Sequence, residues 1–333
     1  MELFLGASST VTSKQFLVYV ATGVLSLAML VVSFNMRVDM YGLFRPAGTR
    51  PLYVFGEERV AKYLHSFRYI RENFDGVLLG SSTSAILETK QIKGYRIYNA
   101  SIVGGNVEDV KPIAQNIFSD HRVKVSFICV HRYLTNDHAQ KTDLITPKQY
   151  WSALGSPQLL TAYVSRIAVD LGLIGRRYDE YGTQYLRSEP DTETVQRNIS
   201  DTVRAIQAGT TSSGNYYIDP IAFLHLREVI DLARRNSQQL VIYFPPVPAP
   251  VLAVRAPEYH SYRRSMDTLL EPGDIVVDFN APGYAGLRQD VHNFVDGSHL
   301  SQAGARIVLQ ELAATLAQTN LRNPAITAAK TTF

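Results

Sequence analysis

The chain of 333 residues contains one cysteine and one tryptophan. A lone Cys129 excludes an internal disulfide, a zinc site built on several thiolates and an iron–sulfur cluster. Set in the apolar run Val125–Val130, it reads as a small buried hydrophobe. An excess of one charge sign is lacking too. Thirty-three Lys and Arg against thirty Asp and Glu leave a net charge of +3, too near balance for an electrostatic nucleic-acid binder. There is no phosphate-binding loop, and Gly104-Gly105 lacks the third glycine that a dinucleotide fingerprint needs in register. The eight histidines are scattered, without metal-ligand spacing beside a carboxylate cluster, so neither a metal nor a cofactor is expected. Internal repeats and low-complexity tracts do not occur.

What the sequence does have is one long uncharged run. From Gln15 to Met36 no side chain is charged, and Lys14 and Arg37 bracket the stretch. At 1.5 Å per residue it spans the roughly 30 Å of a hydrocarbon layer. It is longer than the apolar core of about 7–15 residues usual in a cleaved signal, and no A-x-A pattern follows it. The reading is a short tail over residues 1–14 and a retained transmembrane anchor over 15–36. Arg37, Arg45 and Arg50 lie beyond the anchor against Lys14 and the amino terminus before it, a balance that leans toward a cytoplasmic body.

After about Gly56, short apolar runs alternate with helical patterns. Strands are expected at Val77-Leu78-Leu79, Arg96–Asn99, Val123–Val130, Gln239–Phe244 and Asp274–Phe279. Helices are expected at Glu57–Asn73, Val107–Phe118, Pro220–Asn236, His260–Leu270 and Ser301–Gln318. Such alternation indicates an α/β domain, here over residues 56–320, with a parallel sheet covered on both faces. The segment at about 143–215 is mostly helical, breaks the rhythm and reads as an insertion beside the sheet, a lid or a partner surface. Residues 321–333 read as a loosely ordered tail.

In parallel sheets functional groups gather beyond the strand C-termini, and two motifs fall there. Gly80-Ser81-Ser82-Thr83-Ser84 follows the first strand, where a serine either caps the next helix or exposes a nucleophilic hydroxyl beside backbone N–H groups. Asp296-Gly297-Ser298-His299-Leu300 precedes the last helix, and its D-x-x-H spacing can supply a base and the carboxylate that orients it from a single loop.

Together these two blocks resemble the first and last blocks of SGNH/GDSL-type serine hydrolases. They are most similar to the membrane-anchored branch that includes the alginate O-acetylation proteins and the D-alanine-transfer protein of teichoic acid synthesis. Tyr98-Asn99-Ala100-Ser101-Ile102-Val103-Gly104-Gly105-Asn106 resembles the second block of that branch, and Val38-Asp39-Met40-Tyr41-Gly42-Leu43-Phe44 its post-anchor phrase. The resemblance covers roughly residues 76–130 and 239–318 and implies a flavodoxin-like three-layer α/β/α SGNH domain. It casts Ser82 as nucleophile, His299 as general base and Asp296 as the orienting carboxylate. The backbone N–H groups of Ser82 and of Gly104 or Gly105 would form the oxyanion hole. Where the family's third block has Gly-x-Asn-Asp, this chain reads Cys129-Val130-His131-Arg132-Tyr133-Leu134-Thr135-Asn136-Asp137, so Asn136 stands as a displaced equivalent. The implied activity is that of an esterase or O-acyltransferase on acyl, chiefly acetyl, esters of a bacterial cell-surface polymer or exopolysaccharide. The implied body faces away from the cytoplasm. Its partners would be the polysaccharide or acyl-donor substrate, the lipid bilayer and an integral-membrane acyltransferase or polysaccharide-synthesis complex. The departure in the third block suits a different class, a non-catalytic scaffold of such a complex.

Overall fold

The computed structural model describes residues 12–45, 50–136, 145–186, 188–210 and 216–322. It opens with α1 (Ser13–Val38), whose first turn is closed by a capping box between Thr12 and Gln15. This helix of 26 residues is about 39 Å long, enough by length and composition to cross a membrane, a test that a signal sequence also passes. Its last turn is built into the body. Asn35 is buried, donating to the Leu154 carbonyl at 2.7 Å and accepting from the Tyr163 hydroxyl at 3.0 Å. Asp39 ends the helix in a left-handed conformation, φ 48°. Its carboxylate accepts from the N–H groups of Leu43, Phe44 and Arg45 at 2.7, 3.1 and 2.9 Å, and Arg50 donates to the Val38 and Asp39 carbonyls. Met40, Tyr41 and Leu43 are buried. The chain therefore leaves α1 through a packed turn and not through a tether.

The body then runs through α2 (Glu58–Phe67), α3 (Tyr69–Asn73), β1 (Gly76–Leu79), α4 (Ser82–Ala85), β2 (Ile97–Asn99), α5 (Val107–Phe118) and β3 (Val123–Cys129). The helices α6 (Gln149–Ser152), α7 (Pro157–Asp170), α8 (Thr192–Gln207) and α9 (Pro220–Asn236) follow. The last stretch holds β4 (Ser237–Phe244), α10 (Ala249–Val254), α11 (Ala256–Asp267), β5 (Ile275–Asp278), α12 (Ala285–Gln289) and α13 (Gln302–Arg322). The five strands make one parallel sheet in the order β2-β1-β3-β4-β5. Leu78 of β1 sits between Asn99 and Phe127, and Val241 of β4 pairs with Phe127. Strands apolar on both faces need cover on both. Val77 and Leu79 of β1 and Ile242 and Phe244 of β4 share a core with α2, α5, α9 and α11. The intervening Leu78, Val241 and Tyr243 face α8, α10 and α13.

Each expected strand forms, with ends shifted by a residue or two. The helix expected over Glu57–Asn73 is broken at Arg68, whose φ of −144° is not helical. The helix expected from His260 starts earlier, at Ala256, because Pro257 lies in its first turn, where a missing N–H costs nothing. Within the segment expected beside the sheet, Val195, Ile199 and Ile206 of α8 are core residues. The Asn99 N–H donates to Tyr181 at 2.7 Å, and Gly182, φ +75°, lies so close to β2 that a Cβ would collide with Asn99 and Tyr98. The loop around Tyr181 thereby covers the edge strand.

Burial within this core has a pH consequence. His65 is fully buried against Tyr98, 2.9 Å from its hydroxyl, and burial with the Lys62 charge pushes its pKa down to about 3. The unfolded chain titrates near 6.5. Between those values the unfolded state holds the extra proton, so stability is complete above about pH 6.5 and falls below it, by at most ~1.4 kcal/mol per pH unit. Unfolding midpoints of the full chain in detergent should drop from pH 7 to 5, and less steeply for His65→Gln; identical slopes would refute the assignment.

Candidate active site

Because the sheet is parallel, the loops after all five strands open on one edge. After β1 the chain turns at Gly80, where any Cβ would collide with Ser84 Oγ and Cys129 Cβ. Ser81 is the N-cap of α4 and makes no side-chain capping bond. Ser82 follows as the first helical residue, and its hydroxyl is no cap either: Oγ lies 2.9 Å from His299 Nε2. The turn is held from below. Ser84 Oγ donates to the Ser81 carbonyl at 2.9 Å and accepts from the Ser101 hydroxyl across 2.8 Å. The buried Asn99 amide donates to the Ser84 and Leu87 carbonyls at 2.8 and 3.1 Å, while its oxygen accepts from the Ser101 N–H at 3.1 Å. One side chain thus ties the Ser82 turn to the loop after β2.

His299 is held just as firmly. Its Nδ1 lies 2.8 Å from Asp296 Oδ2, and Asp296 Oδ1 accepts from the N–H groups of Ser298 and His299 at 2.7 and 2.8 Å. An ionised carboxylate only accepts, which assigns the proton to Nδ1 and leaves Nε2 as acceptor for the Ser82 hydroxyl. Burial would raise the Asp296 carboxyl, but the hydrogen bond and charge of His299, with the two amides, outweigh it and hold the pKa below the ordinary value. The loop rests on α8: a Cβ at Gly297 would collide with the Thr202 side chain, so only glycine fits there.

The loop after β2 carries Gly104 and Gly105. Gly104 lies at φ +65°, a conformation suited to glycine. The Gly105 N–H donates to the Ile102 carbonyl at 3.0 Å, so that amide is spent within the turn. Three residues of α2 grip the same loop. Glu58 Oε2 accepts from the Val103 N–H at 3.1 Å, Arg59 donates to the Gly104 carbonyl at 3.0 Å, and Lys62 Nζ donates to the Ser101 carbonyl at 2.5 Å. Lys62 is wholly buried, 2.9 Å from Glu58 Oε1. Burial lowers its pKa while Glu58 pulls the other way.

Asn136 follows the turn after β3. Its N–H closes the Arg132 turn at 3.0 Å, and no hydrogen bond among the described residues joins its side chain to Ser82, His299 or Asp296. Asp137 lies outside the described residues. The end of β3 offers His131. It is buried, Nδ1 has no partner among the described residues, and burial, then the Arg132 and His299 charges, put its pKa well below the usual value. Sequence reasoning missed Asn99, Glu58, Lys62 and Thr202. An i,i+4 Glu–Lys pair on an amphipathic helix looks like an ordinary surface pair; only the fold shows that it is buried.

No family model and no curated protein matches the chain. Among solved structures, a Streptococcus pneumonia protein provisionally described as a platelet activating factor aligns with 92% of this chain and 99% of its own. The two share 10% identity at a TM-score of 0.38, a likeness too slight to carry any argument about this chain.

Proposed function

We propose that this chain is a membrane-anchored serine esterase or O-acyltransferase built on a flavodoxin-like SGNH domain, acting on acyl, chiefly acetyl, esters of a bacterial cell-surface polymer or exopolysaccharide. The observation that carries the reading is the continuous relay from Ser82 Oγ through His299 to Asp296, with bonds of 2.9 and 2.8 Å. The strand order 2-1-3-4-5 is that of flavodoxin-like sheets. In the reaction Ser82 Oγ attacks the acyl carbonyl as His299 Nε2 takes its proton. Asp296 steadies the imidazolium, and the same proton is returned to the leaving oxygen. The N–H groups of Ser82 and Gly104 receive the oxyanion, and His131 supplies a further polar contact beside it. The acyl-enzyme then passes to water or to a sugar hydroxyl, according to how well water is excluded and the acceptor is placed. The helix α1 would hold the body at the membrane outside the cytoplasm, within reach of a membrane-embedded acyl donor.

The full chain in detergent should be labelled by a fluorophosphonate at a single serine, Ser82, and should release or transfer acetyl from a model ester. A folded chain inert to both reagents refutes the enzyme and leaves the non-catalytic scaffold.

A further inference from the structure

The helix α7 has two apolar faces, and the body uses only one. Leu159 and Ala162 are buried, with Tyr163 and Val169 packed beside them. Leu160, Val164, Ile167 and Leu171 recur at intervals of four, three and four, a single stripe along the helix, and each is more than half exposed. Leu173 and Ile174 extend the stripe past the helix end, and Trp151 of α6, 66% exposed, stands before its start. A contiguous apolar surface of this kind marks a contact site.

Its position says what it contacts. The start of α7 is where α1 seats. Asn35 bonds to Leu154 and Tyr163, the Phe34 and Tyr163 rings lie 6.1 Å apart, and Gly155 approaches Val31. Tyr163 is thus the residue of α7 that meets the last turn of the uncharged run, and Leu160 and Ile167 are its neighbours on the helix surface, three before and four after. The exposed stripe begins at the depth where α1 would leave the lipid. Beside it lies a cavity of about 90 Å³ lined by Arg50, Arg166 and Arg176, with Tyr53 and Asp170. Asp170 pairs with Arg166 at 3.5 Å, so three cations face one carboxylate. Arg45 and Arg166 stand near enough to act on the Arg50 charge, and so, with the opposite sign, does Asp39, whose carboxylate is already held by three amides. Apolar residues beside aromatics and clustered arginines are the make-up of a segment lying in an anionic membrane surface.

We infer that α7 lies in the surface of the bilayer that α1 spans, its Leu160–Leu171 stripe among the upper acyl chains and the arginine cavity on the phosphate of an anionic phospholipid. The inference rests on the anchor assigned to α1. With two attachments the body cannot swing about α1, and the Ser82 cleft keeps one height above the membrane.

Trp151 is the only tryptophan in the chain, which makes it a reporter that needs no labelling. The full chain is reconstituted into phosphatidylcholine vesicles with and without phosphatidylglycerol, using lipids brominated near the top or near the end of the acyl chain. Trp151 emission should be blue-shifted and quenched several-fold more by the shallow bromines than by the deep ones. Quenching should be stronger with phosphatidylglycerol, and Val164→Glu/Ile167→Glu should abolish it while leaving the ester-releasing activity of the detergent-solubilised protein unchanged. Emission unaffected by either bromolipid overturns the inference and gives the stripe to a protein partner. Quenching indifferent to phosphatidylglycerol overturns the headgroup role of the arginines. Extraction with alkaline carbonate reads the anchor separately. Protein that resists extraction yet shows no quenching keeps the anchor and loses the α7 contact, whereas protein that is extracted yet quenched loses the anchor and keeps the contact.

Discussion

Ser82→Ala should leave a folded protein whose acyl transfer is lower by roughly 10⁴–10⁶. The two halves of that expectation come from different observations. The fold should survive because the hydroxyl makes no capping bond: its partner is His299 Nε2, and the turn is held by Gly80, Ser84 and Asn99. Turnover should vanish because without Oγ no acyl-enzyme can form. His299→Ala should lose nearly as much, and the double variant should be little worse than either single one, since the groups act as one unit. Asp296→Asn should fall short of both, at roughly 10⁴. An asparagine oxygen can still accept from the Ser298 and His299 N–H groups and so keep the loop, but it offers no charge to the imidazolium. Acetyl release from a model ester, with folding followed by circular dichroism, reads all four variants. Full activity in folded Ser82→Ala would end the serine-nucleophile reading.

The groups that make this relay were legible in the sequence because each is a local turn signal at a strand or helix end. Gly80-Ser81-Ser82 and Asp296-Gly297-Ser298-His299 each span a few residues, and each owes part of its shape to contacts within itself: the Gly80 approach to Ser84, and the Asp296 carboxylate on its own following amides. The strands were legible for a similar reason, as short apolar runs ended by turn residues. What stayed hidden depends on partners distant in sequence. Asn99 reads as a strand residue, yet its amide joins two loops. Thr202 reads as a helix surface residue, yet it is the floor beneath Gly297. The outward stripe of α7 was hidden by its inward one, because a helix apolar on two sides carries the same composition as a buried helix. Asn136 was chosen by type, because an Asn-Asp pair after the third strand matches the expected chemistry; what the fold adds is that its backbone N–H closes the turn that begins at Arg132.

The second large effect is expected far from the relay, at Lys62. Lys62→Met should cost about 3 kcal/mol of stability, because it leaves the mostly buried Glu58 carboxylate without its cation. The same change removes the donor to the Ser101 carbonyl, one of three ties by which α2 sets the loop bearing Gly104. Lys62 touches none of Ser82, His299 and Asp296, so any loss of turnover has to pass through that loop. It should appear as a fall in kcat of about tenfold with little change in KM, since a misplaced oxyanion donor weakens binding of the transition state and not of the ground state. Fluorophosphonate labelling should slow in step, because phosphonylation of Ser82 draws on the same donors. Adding Glu58→Gln to Lys62→Met separates the two effects. It removes the uncompensated charge and should recover part of the lost stability, measured as the thermal midpoint in detergent. It cannot restore the bond to Ser101, so kcat and the labelling rate should stay low. If the double variant recovers both, the α2 pair serves stability alone. If Lys62→Met leaves kcat untouched while the midpoint falls, the Glu58 and Arg59 ties hold the Gly104 loop without Lys62, and Lys62 serves stability alone.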